Sequence, residues 1–164
     1  GYEVGTSLLE EDQIETVKGY MERAEKNGVE LVLPTDVVIN PVFPKSDEDI
    51  APEVVAADAI PADKMGLDIG PESQKLFHDK IVDSKTVVWN GPVGVFEVPT
   101  FAEGTKAVAQ ALVDATAAGA FTIAQPRLPG GWLLAHLHRW RRLPRVPRGQ
   151  GTAGPEGARL ISES

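Results

Sequence analysis

The chain has 164 residues, and its 24 acidic and 16 basic side chains give a net charge of -8. A hydrophobic fraction of 42% is enough for one ordinary core, so we expect a single domain or part of one. The absence of cysteine excludes disulfide scaffolds, thiolate metal sites and cysteine nucleophiles, and no apolar run approaches the roughly 18 residues of a membrane-spanning helix.

The first predicted element is a helix that follows a short N-terminal segment. Residues 1–5 carry neither an initiator Met nor a signal-peptide pattern, which indicates a chain that begins partway through a longer one. Ser7 opens the helix, with Glu10 three residues on as a capping box, and Asn-Gly at residues 27–28 ends it. The apolar residues at helical spacing are Ile14, Val17, Met21 and Ala24.

Short strands are predicted after the first helix. Residues 29–33 predict a strand that ends at Pro34, and residues 36–40 predict another strand that ends at Pro41. Residues 42–64 are rich in Pro, Asp and Ala, which is typical of a surface loop with an edge strand.

The middle of the chain predicts a turn, a helix and a buried strand. Residues 65–71 form a glycine-punctuated turn that leads into the second helix, whose buried stripe consists of Leu76, Phe77 and Ile81. Residues 86–89 are a continuous apolar run, as expected of a strand buried on both faces.

The last predicted elements are a loop, a helix and a strand. The loop at residues 90–97 precedes a third helix, which stops near Gly119, and Thr100 and Glu103 form its capping box. Residues 120–123 begin another strand. The buried face of the helix consists of Phe101, Thr105, Val108, Leu112 and Ala115. Helices that alternate with buried strands predict an α/β fold with a parallel sheet and right-handed crossovers.

The loop after Trp89 is the candidate binding site. In open parallel sheets, ligands bind beyond the carboxyl ends of the strands, and this loop occupies that place. Its glycines let the backbone approach a ligand closely, and Asn90 and Glu97 can each hydrogen-bond sugar hydroxyls. The alternative is a tight strand-to-helix turn in which both side chains are satisfied locally, and the spacing alone leaves both interpretations open.

Other polar residues are expected to have structural or solvated roles. His78 falls on the polar side of its helix and is expected to be solvated rather than a ligand or a base. The acidic residues 47–49 are expected to form a solvated charge run, and Asp68 is expected to cap its turn rather than bind a metal. The sequence therefore predicts neither a catalytic residue nor a metal ligand.

Several strings resemble the phosphoglycerate kinase family, in the order in which that family shows them. They are LPTDV at residues 33–37, MGLDIGP at residues 65–71, WNGPVGVFE at residues 89–97 and FAEGT at residues 101–105. The resemblance runs from about Gly1 to Ile123 and covers the later part of the family's C-terminal, nucleotide-binding domain.

The resemblance implies an incomplete, Rossmann-like nucleotide-binding domain with a parallel sheet. It implies a cytoplasmic, glycolytic and usually monomeric kinase that moves a phosphoryl group between 3-phosphoglycerate or 1,3-bisphosphoglycerate and ATP or ADP, with Mg²⁺. Nucleotide and 3-phosphoglycerate are the implied ligands, and no membrane partner is expected.

The resemblance also implies a nucleotide site. Positions matching Gly66 and Leu67 line the adenine pocket of the family, and the position matching Glu97 bonds the ribose hydroxyls. The positions that border the nucleotide match Asn90, Gly91, Pro92 and Val95. A carboxylate and an apolar slot suit a neutral sugar and a flat base, but neither supplies the cations that a triphosphate needs.

The tail at residues 124–164 departs from the body at residues 1–123. The body holds 9 basic and 22 acidic residues, a net charge of -13, and the tail holds 7 and 2, a net charge of +5, which together give -8. The family's glycine-rich loop, whose Asp binds magnesium, should follow Ile123, but AQPRLPGG stands at residues 124–131. The chain alone is therefore expected to be catalytically inactive.

The composition of the tail indicates a frame-shifted segment. Arg, Pro and Gly are abundant while Lys and Asp are absent, and suitable codons for residues 138–153, read one base later, give a string close to the family's second glycine-rich motif. Such a tail is expected to be disordered. The alternatives are a non-catalytic truncated product and a tail whose arginines, with Trp132 and Trp140, bind nucleic acid.

Overall fold

The computed structural model describes residues 2–124, so the predicted tail, apart from its first residue, lies outside the described residues. The helices are α1 (Ile14–Lys26), α2 (Pro71–Val82) and α3 (Glu103–Ala117). The strands are β1 (Asp36–Asn40), β2 (Glu53–Ala56), β3 (Met65–Ile69), β4 (Thr86–Trp89) and β5 (Phe121–Ala124). Short 3-10 turns occupy Glu11–Gln13, Asp47–Asp49 and Pro99–Phe101. In this part of the chain, no helix has the length and apolar character needed to cross a membrane.

The strands of the described residues form two sheets. β1 lies between β2 and β3 and is antiparallel to both, whereas β4 and β5 form a parallel pair. The predicted α/β class with a parallel sheet is confirmed, and β2 is an edge strand as expected. The antiparallel pairing of β1 with β3 was not predicted, and residues 41–64 link these strands without the α-helical crossover that usually joins parallel neighbours.

Two predicted elements differ from the structure. Residues 29–33, predicted as a strand, pair with no strand among the described residues, because a strand needs a neighbour that its own pattern cannot reveal. Residues 65–69, predicted as a turn, form β3 instead. The ladder that β1 offers to this segment overrides the turn signal of its glycines.

The third helix follows its prediction closely. All residues of its predicted face are buried, and they form the main core together with Ile39, Leu67 and Ile69. α3 packs on α2 and on β3 and β5. Its last turn closes with a hydrogen bond from the Ala120 amide to the Ala115 carbonyl at 2.9 Å, and Gly119 has a φ of 96° there. The predicted stop near Gly119 is therefore confirmed.

Neither predicted capping box forms. The Ser7 hydroxyl accepts a hydrogen bond from the Gly66 amide at 3.0 Å, and α1 begins later, after a 3-10 turn. α3 has no side-chain cap at its own N-cap residue, and Glu103 pairs with Lys106. The side chains of both predicted boxes therefore have partners other than the helix ends that they were predicted to cap. The predicted stop of α1 is confirmed, since Gly28 has a φ of 67°.

Part of the apolar surface is uncovered. The predicted stripe of α1 contributes no buried residue, and the α2 stripe is only half-buried. Along β4 the burial alternates, and Val88 is 68% exposed, so the strand is not buried on both faces as predicted. Val88 shares its face with Phe121 and Ile123, which are also exposed, and we call these three residues the open face. In the described residues, α3 packs against β5, and the open face of this strand pair is uncovered.

Candidate functional site

The candidate site forms where β3 meets the loop after β4. In the ladder between β1 and β3, Val38 pairs with Asp68 and Ile39 with Gly66, so Leu67 is an extra residue without a partner on β1. This bulge frees the Leu67 carbonyl, which accepts a hydrogen bond from the Val95 amide at 2.8 Å. The predicted site residues Leu67 and Val95, which are far apart in sequence, are thus joined by their backbones.

Gly66 presents open backbone beside this bond. Its amide donates to Ser7 Oγ, and a Cβ added at Gly66 would meet only Ile60 Cδ1 and Ser7 Oγ, both at 3.9 Å. The packing of the protein therefore leaves room for a group at this glycine. Ser7 was missed as a site residue, because its partner lies 59 positions away and its local pattern favours a helix cap.

The loop that follows β4 is anchored at its middle and exposed at its ends. The Val93 amide donates to Thr105 Oγ1 at 3.2 Å, and Gly91 has a φ of 87° with no protein atom near its missing Cβ. Asn90 and Glu97 are exposed, and neither side chain makes a hydrogen bond within residues 2–124. The alternative of a turn that satisfies both side chains locally finds no support in these contacts.

The predicted site residues are brought together only in part. The backbone bond joins Leu67 to Val95, and Gly66 precedes Leu67 on the same strand. No hydrogen bond within the described residues links Gly66 to the exposed loop residues Asn90, Gly91, Pro92 and Glu97. Leu67 and Val95 are therefore held together next to Gly66, whereas the other four predicted site residues are exposed.

Asp68 is a buried residue that directly follows the site residue Leu67 on β3. Its side chain is 5% exposed, Oδ2 accepts a hydrogen bond from the Gly104 amide at 2.8 Å, and Oδ1 accepts one from the Ile69 amide at 2.8 Å. Burial raises the pKa of the Asp68 carboxyl, and the two amide hydrogen bonds offset part of that effect. Asp68 does act as a cap, but it caps α3, which starts 35 residues later, rather than its own turn.

Asp36 performs the same task for α2. Its carboxylate accepts hydrogen bonds from the Glu72 amide at 3.0 Å, the Ser73 amide at 2.7 Å and the Ser73 hydroxyl at 2.6 Å. Burial favours a higher pKa for Asp36, but these hydrogen bonds outweigh it, and the pKa lies below its ordinary value. Sequence reasoning missed this residue, because a cap supplied from 36 positions away leaves no local signal.

The remaining polar candidates have structural partners. His78 Nε2 lies 3.0 Å from Asp114 Oδ2 and links α2 to α3, so this partly exposed histidine has a structural partner that was not predicted. Asp49 accepts hydrogen bonds from the amides of Lys45 and Ser46 and closes a local turn. Within residues 2–124 no group of three or more His, Cys, Asp or Glu side chains gathers as a metal site would require.

The fold defines a mixed α/β protein with a parallel strand pair, in which the loop after β4 meets β3. The family model of phosphoglycerate kinase matches residues 1–135 of the chain. The chain therefore belongs to the phosphoglycerate kinase family.

Curated relatives and solved structures carry the same description. The phosphoglycerate kinase of Bifidobacterium adolescentis is 99% identical over 123 residues, which are 75% of this chain and 31% of that relative. That of Streptomyces avermitilis is 68% identical over 119 residues, covering 71% of this chain and 30% of the relative. The structure of phosphoglycerate kinase from Coxiella burnetii matches with a TM-score of 0.70 and 33% identity over 86% of this chain and 34% of that one. The chain thus spans about a third of the relatives that it matches.

Proposed function

We propose that this chain supplies the adenosine-binding part of a phosphoglycerate kinase. The observation that carries the proposal is the hydrogen bond between the Leu67 carbonyl and the Val95 amide, which holds the open backbone of Gly66 beside the loop of Glu97. A flat base needs close approach to backbone, and a ribose needs a carboxylate with unused acceptor capacity. Both requirements are met by residues of this site.

Each site residue has a definite task in this proposal. The base lies against the open backbone of Gly66, next to the point where Leu67 and Val95 are joined, and the Glu97 carboxylate accepts hydrogen bonds from the ribose hydroxyls. Asn90, Gly91 and Pro92 border the nucleotide from the exposed part of the loop. Since Glu97 has no partner within the described residues, the sugar meets an acceptor that is not already engaged.

The seven proposed site residues do not provide the groups that bind the phosphates. Transfer between ATP or ADP and 3-phosphoglycerate or 1,3-bisphosphoglycerate needs cations and donors around the phosphates, and no proposed site residue is Lys or Arg. Mg²⁺ prefers oxygen ligands near phosphate, but the one carboxylate of the site, Glu97, is assigned to the ribose. The residues of the site therefore do not fit a metal. We propose that the chain alone is inactive, and that its family context is cytoplasmic glycolysis by a monomeric enzyme.

The test is a titration of the 164-residue chain with adenosine, ADP and ATP, followed by isothermal calorimetry or by amide chemical shifts. We expect adenosine and ADP to bind with similar affinity, because the site contacts the nucleoside and not the phosphates. A failure of all three ligands to bind would overturn the proposal. Turnover of 1,3-bisphosphoglycerate with ADP would overturn the proposed inactivity.

Two variants sharpen the test. Gly66→Ala places a methyl group where the base should lie, and Glu97→Gln removes the charged acceptor, so each should weaken adenosine binding by about tenfold. Gly19→Ala and Glu25→Gln are the matched controls, because Gly19 has no atom near its missing Cβ and Glu25 is exposed on α1. Equal effects of variants and controls would contradict the assignment.

We further propose that residues 124–164 are a frame-shifted segment. The B. adolescentis relative supports this boundary, since its 99% identity extends over 123 of the 164 residues. The test is the DNA sequence of the source locus across the codon for Ile123. An intact shifted frame that encodes the family's glycine-rich loop is expected, and its absence would contradict the proposal.

A further inference from the structure

We infer that Asp68 is the positioning residue of this site, because its buried carboxylate fixes the loop of Val95 and Glu97 against the strand of Gly66 and Leu67. The inference rests on the proposed function for its consequence in binding, but its geometric content stands on contacts that need no ligand. Asp68 touches neither the proposed base nor the proposed sugar, and it acts through the backbone on either side of it.

The carboxylate of Asp68 is immobilised from two directions. The Ile69 amide donates to Oδ1 from its own strand, and the Gly104 amide donates to Oδ2 from the first turn of α3, both at 2.8 Å. The side chain is nearly inaccessible to solvent, so both hydrogen bonds lie in a low-dielectric environment, where they are stronger than at the surface. β3 and α3 are therefore joined by a short, rigid link.

The loop rests directly on this carboxylate. A Cβ added at Gly94 would lie 2.4 Å from Asp68 Oδ1 and 2.7 Å from the Phe101 carbonyl, and one at Gly104 would lie 2.2 Å from Asp68 Oδ1. Both glycines therefore permit a backbone approach that any side chain would prevent. The loop cannot move toward β3 without displacing Asp68.

The same two segments are joined again one residue along. Gly94 packs on Asp68, and the next residue, Val95, donates its amide to the carbonyl of the residue before Asp68, which is Leu67. We call the contacts of Asp68 with Gly94 and Gly104, together with the bond between Leu67 and Val95, the Asp68 clamp. Because these contacts are made by adjacent residues, they fix both the distance of the loop from β3 and its rotation relative to β3.

The clamp has a direct consequence for binding. The Val98 amide donates to the Val95 carbonyl at 3.0 Å, so Glu97 lies in a turn that is itself anchored at Val95. A loop that is already held in its binding conformation does not have to be ordered when the ligand arrives, which increases the affinity. Loosening the clamp should therefore weaken adenosine binding although no ligand contact is removed.

Asp36 provides a matched control. It is buried to the same degree as Asp68, and it caps α2 through the Glu72 and Ser73 amides, as Asp68 caps α3. None of its hydrogen bonds involves the loop at residues 89–97. Asp36→Asn and Asp68→Asn therefore make the same chemical change at helix caps that differ in their relation to the site.

The experiment measures amide hydrogen exchange and adenosine affinity in the 164-residue chain. The two variants are compared at equal unfolding free energy, set with urea. Relative to Asp36→Asn, Asp68→Asn should raise the exchange rate of the Val95 amide at least about tenfold and weaken adenosine binding by about 2- to 10-fold. Equal effects of the two variants on the Val95 amide would overturn the inference. If the unmodified chain binds no adenosine, the proposed function fails, while the exchange rates still decide whether the clamp exists.

A measurement on the unmodified chain covers the case in which Asp68→Asn does not fold. In the clamp, the Val95 and Gly104 amides open together, so their exchange should show the same opening free energy and the same urea dependence. The Ser73 amide, held by Asp36, should show a separate value. A Val95 amide that exchanges freely while Gly104 stays protected would overturn the inference.

Discussion

Individual glycines of this chain fall into two kinds that their sequence context does not distinguish. At Gly94 an added Cβ would strike a carboxylate and a backbone carbonyl, whereas at Gly66 it would meet only ordinary van der Waals contacts, and at Gly19 nothing. A substitution at Gly94 therefore reports on the fold, and one at Gly66 reports on what binds there. The family strings contain both glycines, and neither string shows which role applies.

At the residue scale, Gly94→Ala should destabilise the chain. The methyl group cannot be accommodated by a rotamer change alone, since one of the atoms it meets is the Phe101 carbonyl, and overpacking of this kind costs about 1–3 kcal/mol. Gly19→Ala, in the open middle of α1, should instead stabilise by about 0.5–1 kcal/mol, because alanine favours the helix. Urea unfolding of both variants checks this, and a neutral Gly94→Ala would contradict the close approach.

Single elements were predictable where their signals are local and not where their partners are distant. The stripe of α3 and the positive φ of Gly28 and Gly119 follow from neighbours within one or two turns. The caps of α2 and α3 come from Asp36 and Asp68 on other elements, so no local window contains them. For the same reason, the segments at residues 29–33 and 65–69 exchanged their expected roles, since pairing decides which segment becomes a strand.

At the element scale, the link between α2 and α3 predicts a pH effect. Hydrogen bonds from His78 and then Gln110 lower the pKa of Asp114 below its ordinary value of 3.8. A carboxyl whose pKa is lower in the folded than in the unfolded chain contributes stability above the ordinary value and loses it as the pH falls toward the folded value. Below pH 3.8, the unfolding free energy should therefore fall less steeply with decreasing pH in Asp114→Asn than in the unmodified chain.

The control for this effect is a carboxyl without such partners. Asp63 is exposed, and the unfolding free energy of Asp114→Asn should fall less steeply with decreasing pH than that of Asp63→Asn. The measurement is urea unfolding between about pH 5 and pH 2, where paired carboxylates lose their charge. An acid limb with the same slope in Asp114→Asn and in the unmodified chain would contradict the assigned hydrogen bonds.

For the molecule as a whole, the alternation of helices and apolar segments predicted the α/β class, and the strings predicted the family. The loop after Trp89 pointed to Asn90 and Glu97, the full set of seven site residues came from the resemblance, and this set remains a proposal. What the sequence could not supply is the support beneath them, namely the bulge at Leu67, the Ser7 contact and the Asp68 clamp. Each of these joins segments that are more than 20 residues apart, and only the folded chain brings them into contact.

At this scale, the open face should bind apolar probes. Exposed Val88, Phe121 and Ile123 form a continuous apolar surface on adjacent strands, and such surfaces bind dyes such as ANS. The double variant Val88→Thr with Phe121→Thr should lower ANS fluorescence by about half with little loss of stability, since surface substitutions usually change the unfolding free energy by about 0.5 kcal/mol or less. Val87→Thr, on the opposite and half-buried face, should lower stability without lowering the fluorescence.

The two carboxylate caps also have an electrostatic consequence for the molecule. A helix N-terminus carries a partial positive charge that attracts phosphate in many nucleotide-binding proteins. Here the N-terminal ends of α2 and α3 are already neutralised by Asp36 and Asp68, whose oxygens would repel an incoming anion. Because carboxylates of the protein already compensate the positive ends of these two helix dipoles, the phosphates of any bound nucleotide must be held by other groups.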